Sequence, residues 1–297
     1  MITQNAMITI SGRPNVGKST LLNALVGEKI AIVTNKPQTT RNRILAVLNR
    51  DETQFIFVDT PGYHAPRTRL GDYMVKVIRE SVADVDAVIL MVEPIPNIGP
   101  QERGLIEWIG ANGVPSVLVV NKIDTVPKEA LLTVIDLYQA AHAFDAIVPV
   151  SAKKGDGLDE LIAVLGGYAE EGPQLFPDDM ITDQPERQIV AEIIREKLLL
   201  CLQKEIPHGT AVEIMKFSER EDGAIVDIEA TIYVEKASHK GMVIGKRGEM
   251  LRKVGAMSRA DIERFLGTKV YLETWVKVKE RWRDSAFLLR NFGYTNE

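Results

Sequence analysis

Over the first 168 positions, short continuous hydrophobic runs alternate with amphipathic stretches. The runs are rich in β-branched residues and have the length of strands that are buried on both faces. They are Ile8–Ile10, Phe55–Val58, Ala87–Val92, Val117–Val120 and Ile147–Val150. The stretches between them carry apolar residues at helical spacing. They predict helices over roughly Tyr73–Ala83, Glu102–Ala111, Lys128–Ala141 and Leu158–Leu165. This alternation predicts a doubly wound α/β domain, with a mainly parallel sheet between two layers of helices.

A different pattern begins after residue 169. Prolines, a glycine and acidic residues follow one another without periodicity, which indicates a linker. We expect its apolar residues Leu175, Phe176 and Ile181 to anchor it to a domain surface. The periodicity then gives the order helix, strand, strand, helix, helix, strand, followed by a terminal helix. The predicted parts are an α/β domain at residues 1–169, a linker at 170–185 and a smaller α+β domain at 186–297.

The composition suits two domains in a reducing compartment. The chain has 297 residues, of which 45% are hydrophobic, enough for two cores. Cys201 is the single cysteine, which excludes an internal disulfide, and its leucine neighbours indicate a buried thiol. No apolar run reaches membrane-spanning length, and we expect no signal peptide ahead of the first strand. We therefore expect a soluble, cytoplasmic protein.

Charge is unevenly distributed along the chain. The formal net charge is −5, which by itself disfavours an anionic partner. Residues 236–283, however, contain 13 Lys and Arg against 5 Asp and Glu, a local net charge of +8. We call this segment the basic block. A compact basic segment in an acidic chain predicts that an anionic partner binds the second domain.

A glycine-rich segment joins the first predicted strand to a helix-forming run. Its spacing is G-x-x-x-x-G-K-S, in which backbone N–H groups curl around a phosphate and the next helix presents its N-terminus. Lys18 is predicted to contact the β- and γ-phosphates, and the Ser19 hydroxyl to bind Mg²⁺. The candidate nucleotide-binding residues of this loop, the P-loop, are Gly12, Arg13, Pro14, Asn15, Val16, Gly17, Lys18, Ser19 and Thr20.

Two polar segments after the P-loop add candidate metal ligands. Residues 27–43 lack periodicity and contain a threonine pair, in which we choose Thr40 as a second Mg²⁺-binding hydroxyl and keep Thr39 as the alternative. Asp59 then ends a buried strand, which suits a Mg²⁺-associated carboxylate, and the Gly62 N–H is predicted to sense the γ-phosphate. Each segment alone is compatible with an ordinary loop, but their order after the P-loop favours a nucleotide site. The candidate nucleotide-binding residues of the second segment are Asp59, Thr60, Pro61 and Gly62.

The spacing N-K-x-D follows another buried strand. The Asp124 carboxylate can accept hydrogen bonds from the ring N–H and the exocyclic amine of guanine, a pair of donors that adenine lacks. Asn121 is predicted to tie this loop to its neighbours, and the stem of Lys122 to lie along the base plane. The next strand ends in a short S-A-K turn, whose alanine N–H is predicted to donate to the guanine carbonyl. That turn consists of Ser151, Ala152 and Lys153.

Together these segments resemble the motif set of the TRAFAC class of GTPases. The matching positions are Gly12–Ser19, Thr40, Asp59–Gly62, Asn121–Asp124 and Ser151–Lys153. The resemblance implies a domain that binds GTP with Mg²⁺ and hydrolyses it as a molecular switch. The residues that it makes catalytic are Lys18, Thr40, Gly62 and Asn15. The metal ligands that it implies are Ser19, Thr40 and Asp59.

One position departs from the Ras-like members of that class. Those enzymes follow D-x-x-G with a glutamine that orients the attacking water, whereas this chain has Tyr63, with His64 beyond. The departure resembles the GTPases that carry a hydrophobic residue in place of glutamine. We expect slow intrinsic turnover, supported by Lys18, Mg²⁺ and loop N–H groups, with His64 an exposed loop residue rather than a base.

Asn15 within the P-loop suggests a second cation. In related GTPases an asparagine at this position accompanies a potassium ion that bridges the phosphates. We therefore hypothesise K⁺-stimulated hydrolysis through Asn15. The alternative is that Asn15 only stabilises the turn of the loop.

The second domain carries a G-x-x-G segment between two predicted helices. In this order of elements it resembles a type II KH domain, which implies that the loop clamps the backbone of single-stranded RNA. The candidate RNA-binding residues are Ile244, Gly245, Lys246, Arg247, Gly248, Lys240, Lys253, Lys277 and Lys279, and the basic block adds Arg252, Arg281 and Arg283. For Trp275 and Trp282 two interpretations stay open, which are base stacking and packing across the last strand and helix.

The succession of a GTPase domain and a KH domain resembles the Era family of bacterial ribosome-assembly GTPases over essentially the whole chain. The resemblance implies binding to the 3′ end of 16S rRNA, a role in maturation of the small ribosomal subunit, and a monomer. It also implies peripheral association with the inner face of the cell membrane, for which the sequence has no lipid-binding segment. Two alternatives are a signalling GTPase whose second domain binds protein, and an ATPase or RNA helicase, which the N-K-x-D spacing disfavours.

Overall fold

The computed structural model describes residues 1–34, 36, 39–61, 69–70, 72–74, 85–203, 206, 209–221 and 223–294. The chain divides into two compact units. The first comprises Met1–Ala65 and Met74–Asp183, and the second comprises Pro66–Tyr73 and Gln184–Glu297. Within the described ranges, no helix combines the length and the apolar character needed to cross a membrane.

The first unit is built on a mainly parallel sheet, as the sequence predicts. Its strands in spatial order are β2 (Ile44–Arg50), β3 (Thr53–Asp59), β1 (Gln4–Gly12), β4 (Ala87–Val92), β5 (Ser116–Val120) and β6 (Ala146–Pro149). The exceptions to the parallel pairing are β2, which lies antiparallel to β3, and β7 (Glu170–Glu171), which lies antiparallel to the start of β1. Neither exception was predicted from the hydrophobic pattern. β2 joins β3 through a tight turn in which Asp51 has a left-handed backbone, φ +54°.

Four described helices cover the two faces of this sheet. They are α1 (Lys18–Val26), α2 (Pro100–Asn112), α3 (Lys128–Ala141) and α4 (Leu158–Gly166). Leucines of α1 and α4 pack into one core with the sheet, and apolar residues of α2 and α3 pack into a second core. Two cores with one sheet between them confirm the doubly wound architecture. The predicted helix at Tyr73–Ala83 lies mostly outside the described residues.

Residues 170–183 run along the edge of the first unit. The backbone N–H groups of Leu175 and Phe176 both donate to Gln54 Oε1 at 2.9 Å, and Val47 N–H donates to the Ile181 carbonyl at 2.8 Å. The Phe176 side chain packs on the apolar residues of β2 and β3, as predicted. The side chains of Leu175 and Ile181 do not, since they are 48% and 38% exposed. The segment is therefore held mainly through backbone hydrogen bonds, which a hydrophobic pattern does not reveal.

The second unit has the predicted order of elements. These are α5 (Glu186–Cys201), β8 (Ala211–Glu219), β9 (Ile225–Val234), α6 (Ala237–Ile244), α7 (Glu249–Leu266), β10 (Lys269–Val278) and α8 (Ala286–Asn291). β9 is the central strand, with β8 antiparallel and β10 parallel to it. Alternate residues of β9, among them Ile228 and Ile232, are buried in a core with Ile194 and Leu198 of α5. The three helices α5, α6 and α7 contribute to this one core.

The two tryptophans of interest have different environments. Trp282 is fully buried, and its indole N–H donates to the Gly209 carbonyl at 2.9 Å. Its ring lies 5.5 Å from that of Phe292 and 6.1 Å from that of Tyr294, between ring centroids. Packing is therefore the correct interpretation for Trp282. Trp275 on β10 is 58% exposed.

Candidate nucleotide site and nucleic-acid interface

The P-loop folds around the ammonium group of its own lysine. β1 ends at Gly12 and α1 begins at Lys18, so the loop lies at the carboxyl end of the sheet. Lys18 Nζ donates to the carbonyls of Gly12 and Arg13 at 3.1 and 3.0 Å. The Lys18 side chain is buried. The curled backbone thus holds one positive charge inside the loop.

Asn121 ties the P-loop to the two loops that follow β5 and β6. Its Nδ2 donates to the Val16 carbonyl at 2.8 Å, and its Oδ1 accepts the Ala152 N–H at 3.0 Å. Position 17 must be glycine for this contact, because its φ is +105° and a Cβ there would lie 2.3 Å from Asn121 Nδ2. The tying role predicted for Asn121 is confirmed. The Ala152 N–H was predicted to donate to the guanine carbonyl. In the structure it donates to Asn121 Oδ1 instead.

Ser19, Thr40 and Asp59 bring oxygen atoms together beneath the P-loop. Ser19 Oγ lies 2.9 Å from Thr40 Oγ1 and donates to Asp59 Oδ2 at 2.9 Å. Thr39, the alternative to Thr40, points to its own loop, where its hydroxyl contacts Thr34 Oγ1 at 2.7 Å and the Lys36 carbonyl at 2.6 Å. Of the two threonines, Thr40 is thus the one beside Ser19.

This cluster has the donor chemistry of a magnesium site. Mg²⁺ takes oxygen ligands and is commonly held by one or two carboxylates together with substrate phosphates. Two hydroxyls and one carboxylate converge here, and Asp59 Oδ1 is buried without a hydrogen-bond partner among the described residues. The residues therefore fit the ion.

Burial shifts the pKa values of both charged groups in the cluster. It lowers the pKa of Lys18 to about 8, although the nearby Asp59 carboxylate opposes that shift. It raises the pKa of Asp59 to about 6, against the opposing effects of Lys18 and the Ser19 hydroxyl. Each charge is costly because water is excluded and the local counter-charge compensates only in part. An anion bound near Lys18 would stabilise its ammonium form, and a cation bound near Asp59 would stabilise its carboxylate form.

Asp124 is exposed at the loop after β5 and is held from one side. Ser151 Oγ donates to Asp124 Oδ1 at 2.8 Å, and this hydrogen bond is the main cause that lowers the pKa of the Asp124 carboxyl. The group is therefore ionised and acts only as an acceptor at neutral pH. Lys153, also in the S-A-K turn, is exposed to solvent. The geometry suits recognition of two adjacent N–H donors, as guanine presents.

Two carboxylates that were not predicted from the sequence contact the cations of this site. Glu93, directly after β4, lies 2.6 Å from Lys122 Nζ through Oε1 and 3.3 Å from Arg13 Nη2 through Oε2. Glu102, in the first turn of α2, lies 2.8 Å from Arg13 Nε through Oε1. The position of Glu93 at the carboxyl end of a buried strand was the available signal, since the P-loop, Asp59, the N-K-x-D loop and the S-A-K turn all lie at such ends.

A cavity of about 110 Å³ opens between the P-loop and the loop before β2. Its lining consists of Pro14, Asn15, Gly17, Lys18, Ser19, Thr20, Ile32, Val33, Thr34, Lys36, Thr39, Thr40 and Lys122. Six of these come from residues 32–40, of which only the threonine pair was predicted. Gly62, predicted to sense the γ-phosphate, lies outside the described residues, as do Tyr63 and His64.

In the second unit, the G-x-x-G segment forms a tight turn between α6 and α7. Gly245 has φ +73°, and a Cβ there would lie 2.7 Å from the Met250 Cβ. Arg247 also has a left-handed backbone, φ +52°, and its carbonyl accepts a hydrogen bond from Arg252 Nη2 at 2.6 Å. Lys246 and Arg247 are both exposed at the tip, and Ile244 before the turn is half-buried. The turn therefore presents two cations and the N-terminus of α7.

A groove of about 490 Å³ lies beside this turn, between α7 and β10. It is lined by Gly248, Leu251, Arg252, Gly255, Ala256, Arg259, Leu272 and Thr274. We call the six small or apolar residues of this lining the floor of the groove. The other two lining residues are arginines. Of all the lining residues, Gly248 and Arg252 were predicted from the sequence. The other predicted RNA-binding lysines, Lys240, Lys253, Lys277 and Lys279, are exposed but do not line the groove.

The fold and the site define a P-loop GTPase with a C-terminal KH domain. The family described as "50S ribosome-binding GTPase" matches residues 7–122, and the KH domain family matches residues 205–283. The first of these families consists of GTPases, and the P-loop and the N-K-x-D loop lie within or at the end of the matched residues. The protein is therefore an enzyme that hydrolyses GTP to GDP.

Full-length comparisons identify the family. GTPase Era of Ruminiclostridium cellulolyticum is 50% identical over 294 residues, which cover 99% of this chain and 98% of the relative. GTPase Era of Clostridium kluyveri is 51% identical over 291 residues, which cover 98% of this chain and 99% of the relative. The chain belongs to the Era family of GTPases.

Two solved structures of Era match the fold over its whole length. One is Era in complex with MgGDPNP and nucleotides 1506–1542 of 16S ribosomal RNA, with a TM-score of 0.95 and 38% identity. The other is a tyrosine-to-alanine variant of Aquifex aeolicus Era bound to GDP and AlF4⁻, with a TM-score of 0.94 and 39% identity. Each comparison covers 99% of this chain and 100% of the other.

Proposed function

We propose that this GTPase binds single-stranded RNA in the groove between α7 and β10. The RNA is the 3′ region of 16S rRNA, and the protein assists assembly and maturation of the small (30S) ribosomal subunit. The groove beside the G-x-x-G turn is the observation that carries the proposal. A solved Era relative that holds nucleotides 1506–1542 of 16S rRNA supports the choice of RNA.

The chemistry of the groove supports an RNA ligand. Gly255 and Ala256 leave a flat floor on which an unstacked base can lie, and Leu251 and Leu272 add apolar contact. Arg252 and Arg259 neutralise phosphates, while the turn at Lys246 and Arg247 approaches the backbone of the strand. A protein ligand would not require this concentration of positive charge next to a glycine-lined floor.

For the nucleotide site we propose one role for each group of residues. Lys18 and the P-loop N–H groups bind the phosphates, and Ser19, Thr40 and Asp59 hold Mg²⁺. When bound, Mg²⁺ neutralises charge that develops on the phosphates during hydrolysis. The base is held by Asn121, Lys122 and Asp124, with Ser151, Ala152 and Lys153 closing the loop around it. Gly62, as in related GTPases, contributes its N–H to the γ-phosphate.

We further propose that hydrolysis is slow and is stimulated by K⁺ through Asn15. Asn15 is exposed on the rim of the 110 Å³ cavity, in a left-handed conformation with φ +68°. A cation held there adds positive charge where negative charge develops, so we expect hydrolysis about tenfold faster in KCl than in NaCl. The measurement is phosphate release at matched ionic strength, for the wild type and for Asn15→Ala. Equal rates of the wild type in the two salts would contradict the proposal.

Filling the groove tests the RNA proposal. Gly255→Val places a branched side chain in open space, since nothing lies within 4 Å of the position that its Cβ would take, so the helix should tolerate it. We expect affinity for an oligonucleotide with the 3′-terminal sequence of 16S rRNA to fall by at least about tenfold, because stacking on the floor is lost. The measurement is fluorescence anisotropy with the labelled oligonucleotide, together with the GTPase rate, which should not change.

Gly104→Val is the matched control for this variant. Gly104 lies in α2 and likewise has nothing within 4 Å of its Cβ position. Both changes replace a helical glycine, so they affect helix propensity alike. The groove proposal is wrong if the two variants bind the oligonucleotide equally well.

We place the protein in the cytoplasm, where it acts as a monomer on the small subunit. Peripheral membrane association gains no support from the described residues and is not part of this proposal.

A further inference from the structure

Glu93 joins the loop that binds the base to the loop that binds the phosphates. Its Oε1 lies 2.6 Å from Lys122 Nζ, and its Oε2 lies 3.3 Å from Arg13 Nη2. Lys122 belongs to the N-K-x-D loop, and Arg13 to the P-loop. One carboxylate therefore contacts a cation from each side of the nucleotide site.

Besides its contact with Glu93, Lys122 contacts the P-loop directly. Its Nζ donates to the Asn15 carbonyl at 2.7 Å. Lys122 and Asn15 both have left-handed backbones, with φ +64° and +68°. Such conformations are unfavourable for non-glycine residues and persist where surrounding contacts hold them. The Lys122 ammonium joins these two residues by binding the Asn15 carbonyl, and it also binds Glu93.

The ion pairs of Glu93 are partly exposed, and only Arg13 has a second carboxylate beside it. The side chains of Glu93, Lys122 and Arg13 are 24%, 36% and 31% exposed. Glu102, only 1% exposed, holds Arg13 at 2.8 Å, and its other oxygen accepts the Gly99 N–H at 2.6 Å. Arg13 therefore has a second, buried carboxylate, whereas Glu93 is the carboxylate that the structure gives to Lys122.

We propose that Glu93 is a positioning residue for guanine-nucleotide binding. It holds Lys122 in the orientation that contacts the Asn15 carbonyl, and so keeps the base-binding loop and the P-loop in one geometry. The proposal concerns the nucleotide site of the GTPase and does not depend on the RNA proposal.

A double-mutant cycle tests this role. The proteins are the wild type, Glu93→Gln, Lys122→Met and the double variant, each full-length and freed of nucleotide. We expect Glu93→Gln to weaken GDP binding by about five- to tenfold, because it removes a partly exposed ionic hydrogen bond to Lys122. In the Lys122→Met background, Glu93→Gln should weaken GDP binding by at most about twofold, because Arg13 still has its ion pair with Glu102. The measurement is displacement of a fluorescent GDP analogue.

The cycle separates positioning from a general effect on folding. Glu107→Gln, on an exposed position of α2, is the matched control and should bind GDP like the wild type. Thermal unfolding of the nucleotide-free proteins reports whether Glu93→Gln alters the fold itself. The proposal is overturned if Glu93→Gln binds GDP as tightly as the wild type. It is equally overturned if Glu93→Gln costs the same factor in both backgrounds, since its effect would then not act through Lys122.

Discussion

Replacing Asp124 by asparagine should change the base preference of the site from guanine to xanthine. The ionised carboxylate can accept hydrogen bonds from two N–H donors, and its lowered pKa keeps it ionised throughout the neutral range. An asparagine amide offers one acceptor and one donor, and that donor matches the C2 carbonyl of xanthine but opposes the exocyclic amine of guanine. We expect GDP affinity to fall on the order of 10³-fold, because a mismatched polar pair in a binding site is strongly rejected. XDP affinity should rise correspondingly.

Competition binding with GDP, XDP and ADP measures this exchange. Ser151 Oγ lies 2.8 Å from Asp124 Oδ1 and can still donate to the amide oxygen of asparagine, so the loop should keep its conformation. Asp136→Asn, on an exposed position of α3, removes the same charge away from the site and should leave the preference for GDP unchanged. Unaltered guanine selectivity of Asp124→Asn would assign base recognition to other groups.

The strands and motifs of the first unit could be predicted because their signals are local. Continuous β-branched runs mark strands such as β4 and β5, and the P-loop, Asp59 and the N-K-x-D loop each lie at the end of such a strand. Thr40, in the loop before β2, is the exception. β2 and β7 were not predicted because their places in the sheet depend on tertiary pairing. Glu170 and Glu171 of β7 are two exposed acidic residues, and only their register with the start of β1 makes them a strand.

The site residues that the sequence pattern did not reveal depend on which elements the fold brings together. The role of Glu93 requires that β4 lie beside β1, and the role of Glu102 requires that α2 pack near β1. Both carboxylates are thereby placed next to Arg13. Arg252, Gly255 and Arg259 of α7 recur at helical spacing and share one face, and Gly248 lies directly before the first residue of that helix. That spacing was a usable signal. That β10 forms the other wall of the groove could not be read from the spacing of α7 alone.

Replacing Lys18 by methionine should lower GTP affinity by about 10²- to 10³-fold and abolish measurable hydrolysis. Methionine retains most of the apolar stem but removes the ammonium. Two N–H groups of Lys18 are used by the Gly12 and Arg13 carbonyls, which leaves the third for a phosphate of the bound nucleotide. A charge-assisted bond to a phosphate in a buried site is strong, which accounts for the size of the expected loss. Calorimetric titration with a non-hydrolysable GTP analogue measures it.

The same lysine gives nucleotide binding a pH dependence whose sign follows from its pKa. In the nucleotide-free protein burial lowers the pKa of Lys18 to about 8, and a bound phosphate favours the ammonium. Above that pH, binding therefore takes up a proton, and the affinity should fall by up to about tenfold for each further pH unit. Below it, Lys18 is already charged and adds no pH dependence.

Ionisation of the guanine base acts on the wild type and on Lys18→Met alike, so the steeper decline of the wild type isolates the lysine. If affinities of the two proteins, measured from about pH 7 to about pH 10, decline in parallel, Lys18 is not the titrating group.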